Sequence, residues 1–232
     1  MSKELENKYF IILNKKEIIF SCLSNENKIS LIKKHNLKDN LCNQFIELKN
    51  FLTNNLMEIE RSLNSFIERI YIILDQDNNL NANLSIKYKL EEKKIKETKI
   101  NDLLSFLKYQ FTKYSNDQKV IHMTLNKLLI DGEEKDFLSV RETLNEIILE
   151  VKFICLKNQN VDIIKNIFSN YQISVEKFFL LNHLSESDKP RVESIIIAAH
   201  KILIGESNNE ITWVTKKSSQ QGFFERFFAF FS

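Results

Sequence analysis

The chain has 232 residues, enough for one large domain or two small ones. Hydrophobic residues make up 43% of it and charged residues 28%, which excludes the composition of a disordered chain and allows a buried core. The formal net charge of +2 excludes binding to nucleic acid through overall charge, because that requires a strong excess of basic residues.

The first 75 residues predict a sheet and one long helix. Strands are predicted at 8–14, 17–23 and 28–34, because these runs are rich in β-branched and aromatic residues and short polar breaks separate them, as in a three-strand meander. Apolar residues recur at spacings of three and four over 40–66, which predicts a helix. The run 67–75 is apolar without alternation, which predicts a strand covered on both faces.

The remaining sequence predicts further strands and helices of an α+β fold. In chain order they are a loop at 75–83, a strand at 84–91, a helix at 99–114, two short strands at 119–139 with a turn at Asp131-Gly132, a strand at 144–157, a helix at 160–171 capped by Asn160, a strand at 172–183, a helix at 189–203, and a short strand with a polar linker at 209–221. The apolar face of the helix at 99–114 consists of Ile100, Leu103, Leu104, Phe106, Leu107 and Phe111.

No catalytic, cofactor-binding or metal-binding residue is predicted. The glycines at 132, 205 and 222 lie too far apart for a phosphate-binding loop, in which closely spaced glycines let backbone amides approach the anion. The histidines at 35, 122, 183 and 200 have no partner at metal-ligand spacing, and we interpret each as structural or solvent-facing.

The cysteines and the hydropathy pattern indicate where the protein works. Cys22, Cys42 and Cys155 are widely spaced, which argues against a disulfide framework and favours a reducing cytoplasm; Cys22 and Cys155 are interpreted as small core residues. The N-terminus has no apolar segment typical of a signal peptide, and no stretch reaches the roughly 20 apolar residues of a membrane span. Any membrane contact is therefore expected to be peripheral.

The middle of the chain resembles the FtsA family of actin-like bacterial cell-division proteins. In "VIHMTLNKLLIDGEEKDF", a strand ends at His122 and a second strand closes with the turn at Ile130-Asp131-Gly132, as in that family. Residues 8–75 are similar to the first actin-like subdomain, and the C-terminus is similar to the family's membrane-targeting helix. The resemblance implies a truncated actin-like fold and a role as an adaptor that binds division proteins.

Two departures from the family pattern imply that ATP is not bound. The family has an aspartate-glycine-threonine phosphate loop between its first two strands, where this chain has "ILNKKEIIF". The second phosphate loop, expected after the strand near residue 181, is replaced by "SESDKPRVESIIIAAHKIL". By this resemblance, the chain lacks the family's subdomains that complete the ATP cleft and carry the FtsZ pocket. Whether FtsZ is a partner therefore stays open.

The C-terminal segment 222–232 predicts an amphipathic helix. At about 100° per residue, its six phenylalanines fall within an arc of about 160°, and Glu225, Arg226, Ala229 and Ser232 fill the other side. Such a helix binds the surface of a bilayer, and nearby basic residues favour anionic lipid. The predicted membrane-binding residues are Phe223, Phe224, Phe227, Phe228, Phe230, Phe231, Arg226, Lys216 and Lys217.

The sequence therefore predicts a non-enzymatic, peripheral membrane adaptor on the cytoplasmic side of the inner membrane, without cofactor, bound to division proteins or to other copies of itself. Alternatives stay open: a tail that packs on its own domain or in a partner's groove, a soluble assembly protein such as an actin-like pilus component, or an enzyme of unfamiliar type. The predicted divisions are 1–82 (first actin-like subdomain), 83–183 (interaction subdomain), 184–208 (closing helix), 209–221 (short strand and linker) and 222–232 (membrane helix).

Overall fold

The structure is a computed structural model, and it describes residues 7–37, 44–76, 79–90, 97–135, 144–185, 187, 191–207 and 210–211. In chain order the elements are β1 Lys8–Leu13, β2 Glu17–Leu23, β3 Ile29–Asn36, α1 Gln44–Leu63, β4 Arg69–Leu74, β5 Leu80–Lys89, α2 Glu97–Tyr114, β6 Gln118–Ile130, β7 Glu133–Lys135, β8 Glu146–Lys157, α3 Asn158–Ser169, β9 Ser174–Leu180, α4 Leu181–Leu184 and α5 Val192–Leu203. The predicted α+β class is confirmed.

The chain divides into two compact units, each assembled from two stretches of sequence. The first combines Met1–Asn78 with Asn158–Ala199, and the second combines Asn79–Lys157 with His200–Ser232. The predicted boundary after residue 82 lies close to the first crossing point. The predicted subdomain 83–183 differs from this division, because β9 pairs with β4 and so brings residues 158–180 into the first unit.

The first unit contains a five-stranded mixed sheet with the order β3-β2-β1-β4-β9. β1, β2 and β3 form an antiparallel meander, whereas β4 runs parallel to β1 and β9 runs parallel to β4. The meander, the long helix α1 and the returning strand β4 follow in the order that the sequence predicted for residues 8–75. β4 lies between two parallel neighbours and is almost wholly buried, as its continuous apolar run predicted.

Helices α1 and α3 of the first unit each bury one apolar stripe. In α1, which begins and ends inside the predicted range 40–66, the buried residues are Leu48, Phe51, Leu52 and Ile59. In α3 they are Val161, Ile164, Ile167 and Phe168. Both stripes follow the spacing of three and four that one helix face requires, and their burial adds to the hydrophobic stabilisation that the buried strands of this unit supply.

The second unit contains a four-stranded antiparallel sheet with the order β5-β8-β6-β7. Alternate residues of the long strand β8 point into a core that α2 also lines, and Phe153 of β8 stacks on Phe111 of α2 with ring centres 5.2 Å apart. Five of the six residues of the predicted α2 face are buried, but Phe106 is 50% exposed. Phe106 lies off the buried stripe, because it is about 100° from Leu107 around the helix axis.

Two strands of this sheet differ from their predicted form. β5 begins at Leu80, inside the predicted loop 75–83, because Asn81 and Asn83 occupy the exposed positions of an edge strand while Ala82 and Leu84 face the core. The predicted strand end at His122 is wrong. β6 runs unbroken from Gln118 to Ile130, and register shifts within it disturb the alternation that the sequence shows.

Two boundaries in the first unit also need correction. α3 begins at Asn158, so Asn160 lies in the first turn of the helix and is not its cap. The predicted strand 172–183 ends at Leu180, and the next four residues form the short helix α4. Both errors fall at element ends, where the apolar pattern of one element runs into that of the next.

The two described cysteines are core residues, as predicted. Cys22 in β2 and Cys155 in β8 are both free thiols and both buried. Burial raises the pKa of each thiol, and the pKa of Cys155 rises to about 12. Because the thiolate is the reactive form of cysteine, both side chains are unreactive packing groups in the folded protein.

Candidate functional site

The turn between β1 and β2 is the segment where the sequence resemblance to the FtsA family would require a phosphate loop. The Oδ1 atom of Asn14 accepts hydrogen bonds from the backbone N–H groups of Lys16, at 2.8 Å, and Glu17, at 2.9 Å. The backbone N–H of Asn14 in turn donates to the carbonyl oxygen of Glu17 at 3.1 Å. Three backbone donors that could face an anion are thus engaged within the turn, which makes it a closed hairpin connection.

The segment that leads to the C-terminal tail is attached to the edge of the second sheet. Glu210 forms an antiparallel bridge with Thr124 of β6, and the backbone N–H of Ile211 donates to the carbonyl oxygen of Met123 at 2.7 Å. The Ile211 side chain is 5% exposed and belongs to the core that α2 and the sheet share. Residues 210–211 therefore extend the sheet beside β6.

A buried ionisable pair reinforces this attachment. The Nδ1 atom of His122 lies 3.0 Å from the Oε1 atom of Glu210, and both side chains are almost fully buried. Because each imidazole nitrogen can donate or accept, the tautomer of His122 and the protonation of Glu210 set the direction of this bond. A buried carboxylate without hydrogen bonds is costly, so the pair binds residue 210 to β6 more firmly than backbone contacts alone would.

The outward side of α2 exposes aromatic side chains and lysines. Tyr109 is 62% exposed and Tyr114 is 79% exposed, and Phe106 lies one turn before Tyr109. The ammonium group of Lys113 lies 5.7 Å from the centre of the Tyr114 ring, a cation–π contact. The pKa of Lys108 is lowered, first by burial and then by the nearby charge of Lys119 on β6. Phe106, Tyr109 and Lys113, which share one exposed side of α2 with Asp102, are called the α2 patch below.

The nine predicted membrane-binding residues and most of the predicted strand and linker 209–221 lie outside the described residues, so their placement stays a prediction. Of the four histidines, only His122 is fully buried; the Nε2 atom of His35 lies 3.4 Å from Glu47 Oε2, and His183 and His200 are half-buried on α4 and α5. Among the described helices, none combines the length and the apolar character that a membrane crossing requires.

The His122–Glu210 pair and the α2 patch were not found by sequence reasoning. His122 and Glu210 are 88 positions apart, and no local spacing joins them. The patch had a weak signal, because Phe106, Tyr109 and Lys113 recur at helical spacing on the side opposite Leu104 and Phe111. The sequence analysis assigned Phe106 to the buried face, which obscured that signal.

The sequence matches no protein-family model. No curated protein matches it either.

Three solved structures are similar to the chain at low identity. One is a Bacteroides thetaiotaomicron protein with an actin-like ATPase fold and unknown function (TM-score 0.35, 13% identity, 78% of this chain and 54% of that one). Another is the PilM–PilN type IV pilus biogenesis complex (TM-score 0.44, 8% identity, 75% and 47%). The third is the cytoplasmic domain of EpsL, an inner membrane component of the type II secretion system of Vibrio cholerae (TM-score 0.36, 11% identity, 80% and 61%). The chain thus spans about half to three-fifths of these structures.

Proposed function

We propose that this protein is a non-enzymatic adaptor of bacterial cell division that resembles FtsA in its first unit and binds the inner membrane through its phenylalanine-rich C-terminal segment. The folded body would hold a division protein or another copy of the chain near the bilayer. Self-association would multiply a modest lipid affinity, because linked tails bind one surface together.

The observation that carries this proposal is the attachment of residues 210–211 to β6. Since Ile211 is fixed in the core of the second unit, whatever the tail binds is tethered to that unit. The ten residues at 212–221 span at most about 35 Å when fully extended. A tail inserted in a bilayer would therefore hold the folded unit within that distance of the lipid headgroups.

The composition of the tail supplies the affinity. Burying an aromatic side chain contributes roughly 1.5–3 kcal/mol, so six phenylalanines give a ceiling on the order of 10 kcal/mol. Ordering the chain on the surface subtracts from this figure. Lys216, Lys217 and Arg226 outnumber Glu225, and each cation near an anionic surface contributes about 1 kcal/mol.

The closed β1–β2 turn supports the non-enzymatic part of the proposal. Its backbone donors are satisfied by Asn14 and Glu17, whereas a phosphate loop must direct free N–H groups at the nucleotide. Titration calorimetry with ATP and magnesium should therefore detect no binding. Saturable, magnesium-dependent binding would overturn this part.

Co-sedimentation with liposomes tests the membrane part. The full chain should pellet with vesicles that contain anionic lipid, and the Phe227→Glu/Phe228→Glu variant should remain in the supernatant. The matched control is Ala229→Glu/Ser232→Glu, which adds the same charge on the opposite side of the predicted helix and should retain most of the binding. Equal loss in both variants would mean that charge, and not the aromatic face, sets the affinity.

Truncation after Gln221 tests whether the segment 222–232 is a membrane anchor or a helix that packs on the core. Removing an anchor leaves the melting temperature unchanged, whereas removing a docked helix lowers it. A lower melting temperature, together with no pelleting of the full chain, would favour the soluble assembly protein instead.

Localisation in the source cell tests the division role. A fluorescent fusion of the full chain should concentrate at the division site and become diffuse when Phe227 and Phe228 are replaced by glutamate. A uniform membrane signal that does not follow the division cycle would separate membrane attachment from cell division and overturn the FtsA-like assignment.

A further inference from the structure

We propose that two copies of this chain pair antiparallel through β5, edge to edge, so that the four-stranded sheets of two second units join into one continuous sheet. This inference rests on the proposed function, in which self-association multiplies the affinity of the tails, and it names the surface through which the copies meet. Such an arrangement closes at a dimer, because the same strand serves on both sides of a two-fold axis.

Of the four sheet edges among the described residues, β5 is the longest that contains no bulge. The two sheets end at β3 and β9, and at β5 and β7. β7 has three residues, and the pairings of β3 and of β9 each contain a register shift, which bends a strand and hinders further pairing. β5 has ten residues, all of which pair with β8 without a shift. Within the described ranges no strand pairs with the other side of β5, so a straight ladder edge is available there.

The backbone pairing of β5 indicates which residues would form the new ladder. The N–H of Leu90 donates to the carbonyl oxygen of Asn145 at 2.8 Å, which continues the pairing of β5 with β8. In an antiparallel strand, alternate residues direct both backbone groups to the same side, so the even-numbered residues face β8 and the odd-numbered ones face the open edge. The odd-numbered residues are Asn81, Asn83, Ser85, Lys87 and Lys89. Paired with a second copy, they would exchange about ten backbone hydrogen bonds.

The core-facing side chains of β5 are incompletely covered. They pack against the core of the second unit but are only half-buried, and they are Ala82, Leu84, Ile86 and Tyr88. The residues opposite them on β8 are all buried, and they are Phe153, Val151, Leu149 and Ile147. The difference follows from position, because β8 has a strand on each side and β5 has one neighbour only. A further strand beside β5 would remove this apolar row from water.

The side chains of β5 are complementary to a second copy of the same strand. When two copies run antiparallel about Ser85, the core-facing residues of one lie opposite the core-facing residues of the other. Leu84 then lies opposite Ile86, and the small Ala82 lies opposite the large Tyr88. Cross-strand pairs of this kind stabilise a sheet, and no polar residue enters the apolar row.

The charges of β5 also favour an antiparallel second copy. Both lysines lie at one end of the strand and two asparagines lie at the other, so Lys87 meets Asn83 and Lys89 meets Asn81. An in-register parallel pairing would place each lysine opposite itself, which is destabilising. The charge of Lys87 is moreover balanced within its own chain, because its Nζ atom lies 2.6 Å from Glu146 Oε1.

Sedimentation equilibrium tests this interface without lipid. The full chain is used with Phe227→Glu/Phe228→Glu, so that the phenylalanines of the tail do not drive association. It should show a monomer–dimer equilibrium, and Ser85→Lys should weaken the dimer by about fivefold, because two lysines then lie directly opposite each other. The control Ser30→Lys makes the same change at an exposed position of β3, the edge of the other sheet, and should leave the dimer unchanged. A monomer at every concentration, or equal losses in the two variants, would overturn the β5 dimer.

Disulfide formation at the symmetry axis tests the register. Residues in a hydrogen-bonded antiparallel pair have Cα atoms about 5.5 Å apart, which is within the range of a disulfide. Ser85→Cys should therefore give a covalent dimer on mild oxidation, much faster than Ser30→Cys. Both variants also carry Cys42→Ser, and Cys22 and Cys155 are buried, so the introduced thiol is the one that reacts. Equal rates would indicate random collision and overturn the pairing.

Both measurements separate the β5 dimer from the membrane part of the proposed function. Since no lipid is present, a dimer that Ser85→Lys weakens supports the interface even if the tail proves not to bind liposomes. A chain that stays monomeric but pellets with liposomes when its native tail is present overturns the β5 dimer and leaves the tail anchor intact.

Discussion

His122 and Glu210, which are 88 residues apart in sequence, meet in the second unit with 3.0 Å between Nδ1 and Oε1. Glu210 also bridges Thr124 in the sheet, so a side-chain bond and a backbone pairing act on the same residue. The pair joins β6 to the start of the C-terminal segment.

The first prediction concerns this pair. His122→Ala should lower the free energy of unfolding by about 2–4 kcal/mol, because it removes a hydrogen-bond partner from the buried carboxyl group of Glu210. Glu210→Gln, which retains an acceptor for His122, should cost less than half as much. Urea unfolding followed by circular dichroism measures both values. A loss below about 0.5 kcal/mol, which is the usual effect of a surface substitution, would show that the pair does not stabilise the attachment.

The second prediction compares two phenylalanines of the second unit. Phe153→Ala should destabilise the protein by about 3–5 kcal/mol, since the side chain is fully buried and stacks on Phe111. Phe106→Ala removes the same group from the exposed side of α2 and should change stability by less than about 1 kcal/mol. Thermal and urea unfolding of the two variants would measure the loss of stability in each. Similar losses would place Phe106 in the core.

The third prediction is a stabilising substitution. The Oγ atom of Ser21 in β2 is buried without a hydrogen-bond partner among the described residues. Ser21→Ala removes this polar atom without leaving a large cavity, so stability should rise by about 0.5–1 kcal/mol.

Ser62→Ala is the matched control for this substitution. The Oγ of Ser62 donates to the carbonyl oxygen of Ile59 at 2.7 Å, so its loss should leave stability unchanged or lower it slightly. If Ser21→Ala proves the more destabilising of the two, the Ser21 hydroxyl has a partner in solution, such as a buried water.

The fourth prediction is a pH dependence. Burial raises the pKa of Cys155 to about 12, so the thiol stays protonated in the folded chain while it ionises near its ordinary value in the unfolded chain. Above that ordinary value the unfolded state binds fewer protons than the native state, and stability falls as pH rises. This contribution is fully present below about pH 8 and is lost progressively between about pH 9 and pH 12.

Cys155→Ala isolates the contribution, because tyrosines and lysines titrate in the same range in both proteins. The drop in unfolding free energy between pH 8 and pH 10 should be smaller in the variant than in the wild type. Identical drops would mean that the Cys155 thiol ionises as readily in the folded protein as in the unfolded one.

Local pattern was enough to predict most elements of both units. β2 has its predicted bounds, and α1, β4 and β8 lie within theirs, because a continuous or periodic apolar run indicates burial directly. The pattern was misleading where burial was one-sided or interrupted. Polar asparagines on the open face of β5 resembled a loop, and the register shifts of β6 resembled a strand end at His122.

The sequence by itself determined the α+β class, the meander with its long helix, the core character of Cys22 and Cys155, and the concentration of phenylalanine at the C-terminus. These properties depend on residue type and on spacing within one element. Only the tertiary structure decided that β9 belongs to the first sheet, that Glu210 meets His122 beside β6, and that Phe106 faces water. Each of these depends on pairing between segments far apart in the chain, and periodicity within one element carries no information about which distant partner it meets.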